Sequence, residues 1–470
     1  MIQLPWGLIY WAPRKRILFN RLCGENEMDN SGLIGGTYPH TKPNQEIKIL
    51  EGESVVRDKT GAYQGYADAY LKFIPFPCLV LEASVNGTAV NVLDIALRDD
   101  PMTVTIPAHN LKVVTHSIDT SERENRDLIF LPENSVVEFG RARSVDRVEF
   151  YVPNFPTTYG KNDKFIKASN SMQRVGIILL ENDEWQVEMN SLMDLENPEK
   201  ILKKENGFLL THAGLLKKKS GQSFSLKRAR EAMECLKYFL SFARGSFTGP
   251  ILQTGYGKAG KFAWGCCNTH LYDSWKSVMG WFDYQHAEML SSLFPGFCKK
   301  WNSDEWKDDV KLSLYWYLRS NTGSGGIEGS IILLQAALEL ISWSLMVNEK
   351  HSISDKGFRA LSAADKISLL LSSIGIPLEV PESLPRLKQL TKKHNYSGPT
   401  VFVETRNSFV HSSDKRMRIK GLDIPLQDVF QLGLWYQELV FLHLFEYTGE
   451  YANRIRVERW KGVTEKLPWS

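Results

Sequence analysis

Alternating apolar and polar positions mark the first half of the chain, from about residue 45 to about residue 220. Runs rich in β-branched and aromatic residues are separated by Gly, Asn, Asp and Pro at strand-like intervals. Examples are LKFIPFPCLVLEASV (71–85), MTVTIPAH (102–109), RVEFYVP (147–153), RVGIILLE (174–181) and WQVEMN (185–190). This pattern predicts a mostly antiparallel sheet or sandwich.

A helical period interrupts the β-type pattern once. In SLKRAREAMECLKYFLSFAR (225–244) apolar residues recur at helical spacing, and Gly245 is the expected stop. Alternation returns in PILQTGYGKAGKFAWGCC (250–267). We therefore assign the helix to the N-terminal region and expect that region to end near residue 275.

Helical patterns dominate from about residue 308 onward. A short helix, opened by Ser383 and Pro385 and closed by His394, follows a helix with a capping pattern at Ser362. Short connections between the segments predict an antiparallel bundle. The longer segments are DDVKLSLYWYLRS (308–320), IEGSIILLQAALELISWSLMV (327–347), SAADKISLLLSSI (362–374), TVFVETRNSFVH (400–411) and IPLQDVFQLGLWYQELVFLHLFEY (424–447).

The run SIILLQAALELISWSLMV (330–347) has nearly the length of a membrane span. Gln335 and Glu339 interrupt it, so we interpret it as a buried bundle helix and expect no membrane association. An unpaired carboxylate inside such a helix would be costly. Glu339 could pair with Arg406 across the bundle, or it could bond another group or solvent.

Composition fits an ordinary soluble protein. The 470 residues are enough for two or three domains, with 43% hydrophobic and 24% charged residues. The net charge of +3 does not by itself indicate nucleic-acid binding. Six cysteines without a C-x-x-C pair favour a reduced, cytoplasmic protein.

The N-terminal end carries an apolar stretch followed by PRKR, the reverse of the order in a secretory signal. Residues 1–27 share no pattern with the rest of the chain, and Met28 is a candidate natural start. We expect residues 1–44 to form a disordered extension.

Several familiar site patterns are incomplete. GYGKAG (255–260) matches a dinucleotide-binding fingerprint but is followed by a strand-like segment, so we interpret it as a hairpin turn. Cys266, Cys267 and His270 have no fourth ligand at a recognisable spacing, and HAE (286–288) lacks the second half of the zinc deaminase signature. We therefore expect neither a metal nor a cofactor.

The segment RNSFVH carries the most informative candidate chemistry. Arg406 is a permanent cation suited to phosphate oxygens, and His411 can exchange protons near neutral pH. Asn407 can orient either group. Together they suffice for phosphodiester cleavage without a metal. A structural alternative is an arginine that pairs with an acid and a histidine that caps a helix.

Basic residues follow this segment directly. Residues 385–470 carry 14 Lys and Arg against 9 Asp and Glu, an excess of five positive charges. A phosphate-binding rim is one interpretation, and a solvated loop is the other. The four residues are Lys415, Arg416, Arg418 and Lys420.

The stretch from 362 to 411 resembles the catalytic half of HEPN domains (higher eukaryotes and prokaryotes nucleotide-binding). Their signature is Arg, four to six residues and then His, often with Asn directly after the Arg, as at Arg406, Asn407 and His411. The whole chain is similar in layout to ApeA-like bacterial anti-phage HEPN proteins. The resemblance is specific over about residues 308–450 and looser upstream.

The resemblance implies an α+β protein, with a β-rich N-terminal domain before a C-terminal all-α HEPN helical bundle. We expect a β-rich sensor or regulatory domain over 45–275 with one inserted helix, a connector over 276–307, the bundle over 308–450 and a tail over 451–470. In HEPN proteins a polar residue of an earlier helix often supports the Arg–His pair, which makes Glu339 the candidate here.

The implied activity is a metal-independent endoribonuclease of an abortive-infection defence system. It would cut RNA to leave a 2′,3′-cyclic phosphate. Five residues on one helix turn a side chain by about 140° over about 7.5 Å, so Arg406 and His411 diverge. We therefore expect a homodimer, or a higher even oligomer, with both motifs in one cleft.

A phage-derived protein is the expected trigger, sensed by the N-terminal domain. One alternative is a non-catalytic HEPN protein that only dimerises or binds nucleotide. Another is a nuclease that is active only with a partner.

Overall fold

The computed structural model describes residues 32–35, 37–38, 40–86, 95, 100–120, 128–168, 171–192, 197–410 and 423–470. Strands predominate up to Asn268 and helices predominate from Glu288 onward, which confirms the predicted α+β class.

A closed six-stranded barrel comes first. Its strand order is β1-β2-β3-β6-β5-β4, and β1 pairs with β4 to close it. Small side chains such as Ala67, Ala69 and Ala83 lie fully buried beside Phe130, which fits a narrow interior filled by side chains. The strands are β1 (Ile47–Arg57), β2 (Ala62–Lys72), β3 (Cys78–Val85), β4 (Met102–Ile106), β5 (Leu111–Thr120) and β6 (Leu128–Pro132).

An antiparallel seven-stranded sheet follows, in the order β12-β13-β14-β9-β16-β17-β7. Successive side chains of a strand face opposite sides. Tyr151 accordingly joins the core shared with the barrel, whereas Phe150 and Val152 join the core shared with the helices. Its seven strands are β7 (Val136–Gly140), β9 (Arg147–Pro153), β12 (Ile177–Glu181), β13 (Trp185–Ser191), β14 (Leu210–Lys218), β16 (Ile251–Tyr256) and β17 (Phe262–Asn268). Two separate two-stranded sheets are formed by β8 (Ser144–Val145) with β15 (Phe224–Ser225) and by β10 (Lys164–Ala168) with β11 (Ser171–Val175).

The helices pack on the far side of this sheet and continue into a bundle. Phe242 joins the two parts, because its ring contacts those of Trp281, Tyr317 and Phe441. The helices are α1 (Pro198–Glu205), α2 (Leu226–Arg244), α3 (Glu288–Trp301), α4 (Lys307–Asn321), α5 (Gly326–Trp343), α6 (Asp355–Ala360), α7 (Ala363–Ser373), α8 (Pro385–His394), α9 (Gly398–Val410) and α10 (Leu426–Leu444). Two short strands, β18 (Glu450–Tyr451) and β19 (Glu465–Lys466), end the chain.

Local capping signals set the ends of the inserted helix as predicted. The Ser225 hydroxyl accepts a hydrogen bond from the Arg228 N–H at the start of α2, and Gly245 ends the helix with φ 77°. The segment GYGKAG comprises the last two residues of β16 and the turn to β17, which confirms the hairpin interpretation.

The apolar helix α5 continues as a π-helical turn over Ser344–Glu349. The helix Gly326–Glu349 is long and apolar enough to cross a membrane, yet 61% of its most apolar window is buried inside the protein. It packs as the buried bundle helix that the sequence predicts.

Two predicted β-type runs are each divided. Within the run 71–85, β2 ends at Lys72 and β3 begins at Cys78. Within the run 174–181, Gly176 separates β11 from β12. The predicted single sheet or sandwich is a barrel beside a sheet. Local alternation identifies strands but does not contain the long-range pairing, such as β1 with β4, that closes a barrel.

The predicted domain bounds need three corrections. Within the predicted disordered extension, residues 1–31 lie outside the described residues, whereas Leu33, Tyr38 and His40 are buried. The expected connector 276–307 contains α3, which sequence reasoning missed because Pro295 lies inside the helix. The expected tail 451–470 packs into the fold and buries Arg454.

Candidate active site

Arg406 lies on α9, four residues before the last residue of that helix, Val410. The helix begins where the Ser397 hydroxyl accepts a hydrogen bond from the Thr400 N–H at 3.2 Å. Val401 and Phe402 on this helix are fully buried, so its apolar face anchors the end that carries Arg406.

The surroundings of α9 follow from two close approaches. A Cβ on Gly398 would lie 2.1 Å from the Tyr436 hydroxyl, and a Cβ on Gly433 would lie 2.4 Å from the Phe402 ring. Both glycines therefore allow α9 to lie directly against α10. Since residue 398 is level with 436 and residue 402 with 433, the two helices run antiparallel.

The guanidinium of Arg406 is half-buried and poorly partnered. Its Nη1 donates to the Asn407 side-chain oxygen at 3.4 Å, a long hydrogen bond. Its Nε is buried and has no hydrogen-bond partner among the described residues. An unsatisfied buried donor costs about 1–3 kcal/mol, so an incoming acceptor at this position would be favoured.

Glu339 does not pair with Arg406 in the structure but has other partners. The Gln335 amide donates to its carboxylate at 2.8 Å, and the Lys366 ammonium lies 3.4 Å from it. Lys366 is on α7, so Glu339 links α5 to α7.

Helix direction explains why Glu339 and Arg406 do not meet. Leu334 and Phe402 meet at Gly433, and α5 runs antiparallel to α9 because it runs parallel to α10. That parallel direction follows from the far ends, because Lys300 pairs with Glu349 in the turn that continues α5, and the neighbouring Lys299 pairs with Glu446 just after α10. Glu339 lies about 7.5 Å beyond the Leu334 level and Arg406 lies about 6 Å beyond it in the opposite direction, so the two residues are about 13.5 Å apart along the axis.

The remaining predicted site residues lie outside the described residues. His411 follows the last residue of α9, and it lies outside the described residues. The same holds for the predicted basic rim of Lys415, Arg416, Arg418 and Lys420. The structure thus places Arg406 beside Asn407 and separates both from Glu339.

The two cysteines considered and set aside as metal ligands have packing roles. Cys266 and Cys267 face opposite sides of β17 and belong to different cores. His286 lies 3.4 Å from the Glu288 carboxylate, and both side chains are partly exposed. Within the part of the chain that the structure describes, no three His, Cys, Asp or Glu side chains cluster to hold a metal ion.

Sequence reasoning missed Lys237, a buried lysine beside a cavity of about 450 Å³. The signal was present in the pattern of α2. Lys237 follows Met233 by four residues and Ala229 by eight, so it lies on the buried face of an amphipathic helix. A lysine at such a position needs either a partner or a reason to be neutral.

Two family models match this chain. The YopA central domain matches residues 140–278, which include the seven-stranded sheet's strands β9, β12–β14, β16 and β17 together with α2. The YopA C-terminal domain matches residues 303–466, which include α4 to α10 and thus Arg406. The second match begins near the predicted start of the helical bundle and runs through the segment that we expected to be a tail.

A relative shares most of the length of this chain. The SPbeta prophage-derived uncharacterized protein YopA of Bacillus subtilis (strain 168) is 27% identical over 434 residues, which cover 91% of this chain and 95% of the relative. No solved structure matches the chain. The descriptions of these matches name no activity, so the HEPN resemblance and the activity that it implies stay predictions.

Proposed function

We propose that this chain is a metal-independent endoribonuclease that uses Arg406, Asn407 and His411. The observation that carries the proposal is the half-buried Arg406 guanidinium, whose buried Nε has no partner among the described residues. It lies beside an amide on the last turns of a bundle helix, five residues before the motif histidine. An arginine in this state suits a phosphate oxygen as the missing acceptor.

The proposed chemistry is attack of a ribose 2′-hydroxyl on the adjacent phosphorus. The O2′–P bond forms while the P–O5′ bond breaks. His411 takes the proton of the 2′-hydroxyl as a base or gives a proton to the leaving 5′-oxygen as an acid. Arg406 stabilises the charge that develops on the phosphate, and Asn407 holds the guanidinium or the phosphate in place. The products are a 2′,3′-cyclic phosphate and a 5′-hydroxyl.

We propose a homodimer as the working unit, because Arg406 and His411 diverge along one helix. A two-fold contact would bring both copies of the motif to one cleft. The residues Lys415, Arg416, Arg418 and Lys420 would line its rim and contact the RNA backbone.

We place this activity in the cytoplasm, in abortive-infection defence against phage. The barrel and sheet would sense a phage-derived protein and restrain the nuclease until it appears. The prophage origin of the Bacillus subtilis relative is compatible with a role in conflicts that involve phages.

The test is incubation of the purified protein with total RNA in EDTA. Wild type should cleave the RNA, whereas His411→Ala and Arg406→Ala should each lose more than about 100-fold in rate. Arg386→Ala is the matched control, since its side chain is 72% exposed on α8, and it should cleave like wild type. Growth toxicity should follow the same order.

Cleavage by His411→Ala at the wild-type rate would remove the motif from the mechanism. Activity that disappears in EDTA and returns with magnesium would indicate a different nuclease chemistry. Wild-type protein that binds nucleotide or dimerises without cleaving RNA would favour the non-catalytic interaction protein. A strict monomer by light scattering that cleaves at full rate would exclude the shared cleft.

A further inference from the structure

A cavity of about 450 Å³ lies where the sheet meets the helices. Its walls come from α2, from the N-terminal half of α4, and from β7, β16, β17 and the chain that follows β17. The volume is within the range of small-molecule sites, about 300–1,000 Å³. The polar and aromatic lining residues that matter here are Arg230, Lys237, Tyr238, Gln253, His270 and Lys311.

Lys237 is the unusual member of this lining. The residue is only 6% exposed, and its ammonium donates to the backbone carbonyl of His270. The ring of Tyr272 lies 4.4 Å from the ammonium. Among the described residues no carboxylate lies within ion-pair distance of Lys237, although a buried charge normally has such a partner.

The other cations of the cavity already have carboxylate partners. Arg230 donates to both oxygens of Glu138 at 2.5 and 2.7 Å, and Lys311 lies 2.6 Å from Glu234. The lining therefore holds three cations, Arg230, Lys237 and Lys311, against the single carboxylate of Glu234. Its uncompensated charge is that of Lys237.

Titration of the neighbouring groups agrees with this charge distribution. Burial lowers the pKa of Lys237 to about 7; the charge of Lys311 lowers it further, and Glu234 and Asp273 partly oppose the shift. Burial also lowers the pKa of His270, and the charges of Lys237 and Lys311 lower it further. The cavity thus disfavours additional positive charge.

The chain beside the cavity is held in a strained conformation. Leu271 has φ 56°, which is costly for a residue with a branched side chain. It is fixed on both sides, because the Thr269 N–H donates to the Ser135 carbonyl at 2.8 Å and the Tyr272 hydroxyl donates to the Pro250 carbonyl at 2.6 Å. A second cavity of about 370 Å³ shares Ser135, His270 and Leu271 with the first.

We propose that the cavity beside Lys237 binds a small organic anion with an aromatic or apolar part. The phosphate or carboxylate of the ligand pairs with the Lys237 ammonium, and the amide of Gln253 is available as a further donor. The apolar part lies against Tyr238, Met233 and Leu271. This site is distinct from Arg406, and the proposal does not depend on ribonuclease activity.

Pyridoxal 5′-phosphate is a suitable probe, since it is an aromatic phosphate that carries an aldehyde. Its aldehyde carbon forms a C=N bond with the Lys237 Nζ and releases water, and borohydride then supplies a hydride that fixes the adduct as a secondary amine. At pH 7 about half of Lys237 would be neutral, against fewer than about one in a thousand molecules at an exposed lysine. We expect mass spectrometry to find Lys237 labelled at least tenfold faster than Lys299, which is 66% exposed.

Competition decides whether the label reports a binding site. Adenosine 5′-monophosphate or benzoate should slow the labelling of Lys237 at least fivefold, and the effective one identifies phosphate or carboxylate as the anion. Inorganic phosphate at the same concentration should protect less. Failure of all three anions to protect, or labelling of Lys299 without Lys237, would overturn the proposal. Equal protection by inorganic phosphate would contradict the proposal that the ligand has an aromatic or apolar part.

Variants separate binding from folding. Lys237→Arg keeps the cation and loses the reactive amine, so it should resist labelling and keep the rise in melting temperature that the protective anion gives wild type. Lys237→Met should lose both the labelling and the rise in melting temperature. Should Lys237→Met fail to fold, Lys311→Met should still weaken protection at least threefold. The exposed control Lys299→Met should behave like wild type, and an unchanged protection in Lys311→Met would contradict the proposed charge arrangement.

Discussion

Arg454 and Lys237 are both buried cations, but they have opposite surroundings. The Arg454 guanidinium donates to both oxygens of Glu438 at 3.0 and 2.8 Å, and also to the Met279 carbonyl and the Asn321 side chain. Lys237 has one backbone carbonyl and no carboxylate among the described residues. Burial is thus common to both, and only the set of partners differs.

The difference separates a structural charge from one that can receive a ligand. Arg454 joins the C-terminal segment to the bundle, because Glu438 also accepts a hydrogen bond from Tyr317 at 2.6 Å. The hydrogen-bond donors of its guanidinium are thus bonded to acceptors of the protein itself. Lys237 borders a cavity, and Arg406 is intermediate, with a weak bond to Asn407 and an unpartnered Nε. The comparison therefore identifies Arg454 as a structural charge, and it leaves Lys237 and Arg406 as the candidates for ligand binding.

Removal of Arg454 should have the largest effect on stability. Arg454→Met leaves the Glu438 carboxylate buried without its cation, which typically costs about 3–5 kcal/mol. We expect urea unfolding to show a loss of that size. Arg359→Met is the control, because Arg359 and Asp355 form an exposed pair that contributes at most about 0.5 kcal/mol.

The double variant Arg454→Met, Glu438→Leu sharpens this measurement. It removes both charges together, so it should recover part of the stability that the single variant loses. A single variant that loses less than about 1 kcal/mol would break the comparison, since Arg454 would then not be a structural charge.

Buried histidines of the N-terminal region should make the stability of the protein depend on pH. His40 accepts the Leu210 N–H on Nδ1 at 2.9 Å and bonds the Gln45 carbonyl through Nε2 at 3.1 Å. Protonation of Nδ1 would break the first bond. Burial lowers the pKa of His40 from 6.5 to about 4, against a smaller opposing effect of the Gln45 carbonyl, and burial lowers that of His212 to about 3.

The sign of the effect follows from these lowered pKa values. Below pH 6.5 the unfolded chain takes up protons that the folded chain excludes, so stability present above pH 6.5 is lost as the pH falls toward 4. Each histidine contributes about 1.4 kcal/mol for each pH unit in that window. Urea unfolding of His40→Gln should show a shallower pH dependence by that amount. His116→Gln is the control, because the His116 side chain is 47% exposed, and it should keep the wild-type slope. An unchanged slope in His40→Gln would show that His40 does not contribute to the loss of stability in acid.

Sequence patterns anticipated the features that depend on neighbours along the chain. The limits of α2 at Ser225 and Gly245, and the turn at GYGKAG, follow from local capping and turn chemistry. The position of Arg406 and Asn407 on a helix of a bundle also followed from local periodicity. Their chemistry stays a prediction.

The features that sequence reasoning missed depend on distant pairing. Arg454 bonds Asn321, which is 133 positions away, and no local period contains that contact. Glu339 was considered as a partner of Arg406, but the antiparallel direction of α5 and α9 separates them and gives Glu339 to Lys366. Lys237 was visible as a lysine on an apolar helix face, yet only the packing of the sheet against α2 creates the cavity beside it.

Arg406→Met should have the smallest effect on stability, although it is matched in chemistry to Arg454→Met. The substitution removes an unpartnered buried Nε and one long hydrogen bond, and no described carboxylate loses an ion pair. We therefore expect urea unfolding to change by less than about 1 kcal/mol in either direction. RNA cleavage by the same protein should still fall by more than about 100-fold.

This combination is the one that distinguishes a functional arginine from a structural one. A loss of 3 kcal/mol or more in Arg406→Met, as expected for Arg454→Met, would show that Arg406 has a committed partner and holds the bundle together. Glu339→Gln provides the internal control, since it breaks a partly exposed pair with Lys366 on the same bundle. Because Glu339 lies about 13.5 Å from Arg406 along the helix axes, that variant should leave RNA cleavage within about threefold of wild type.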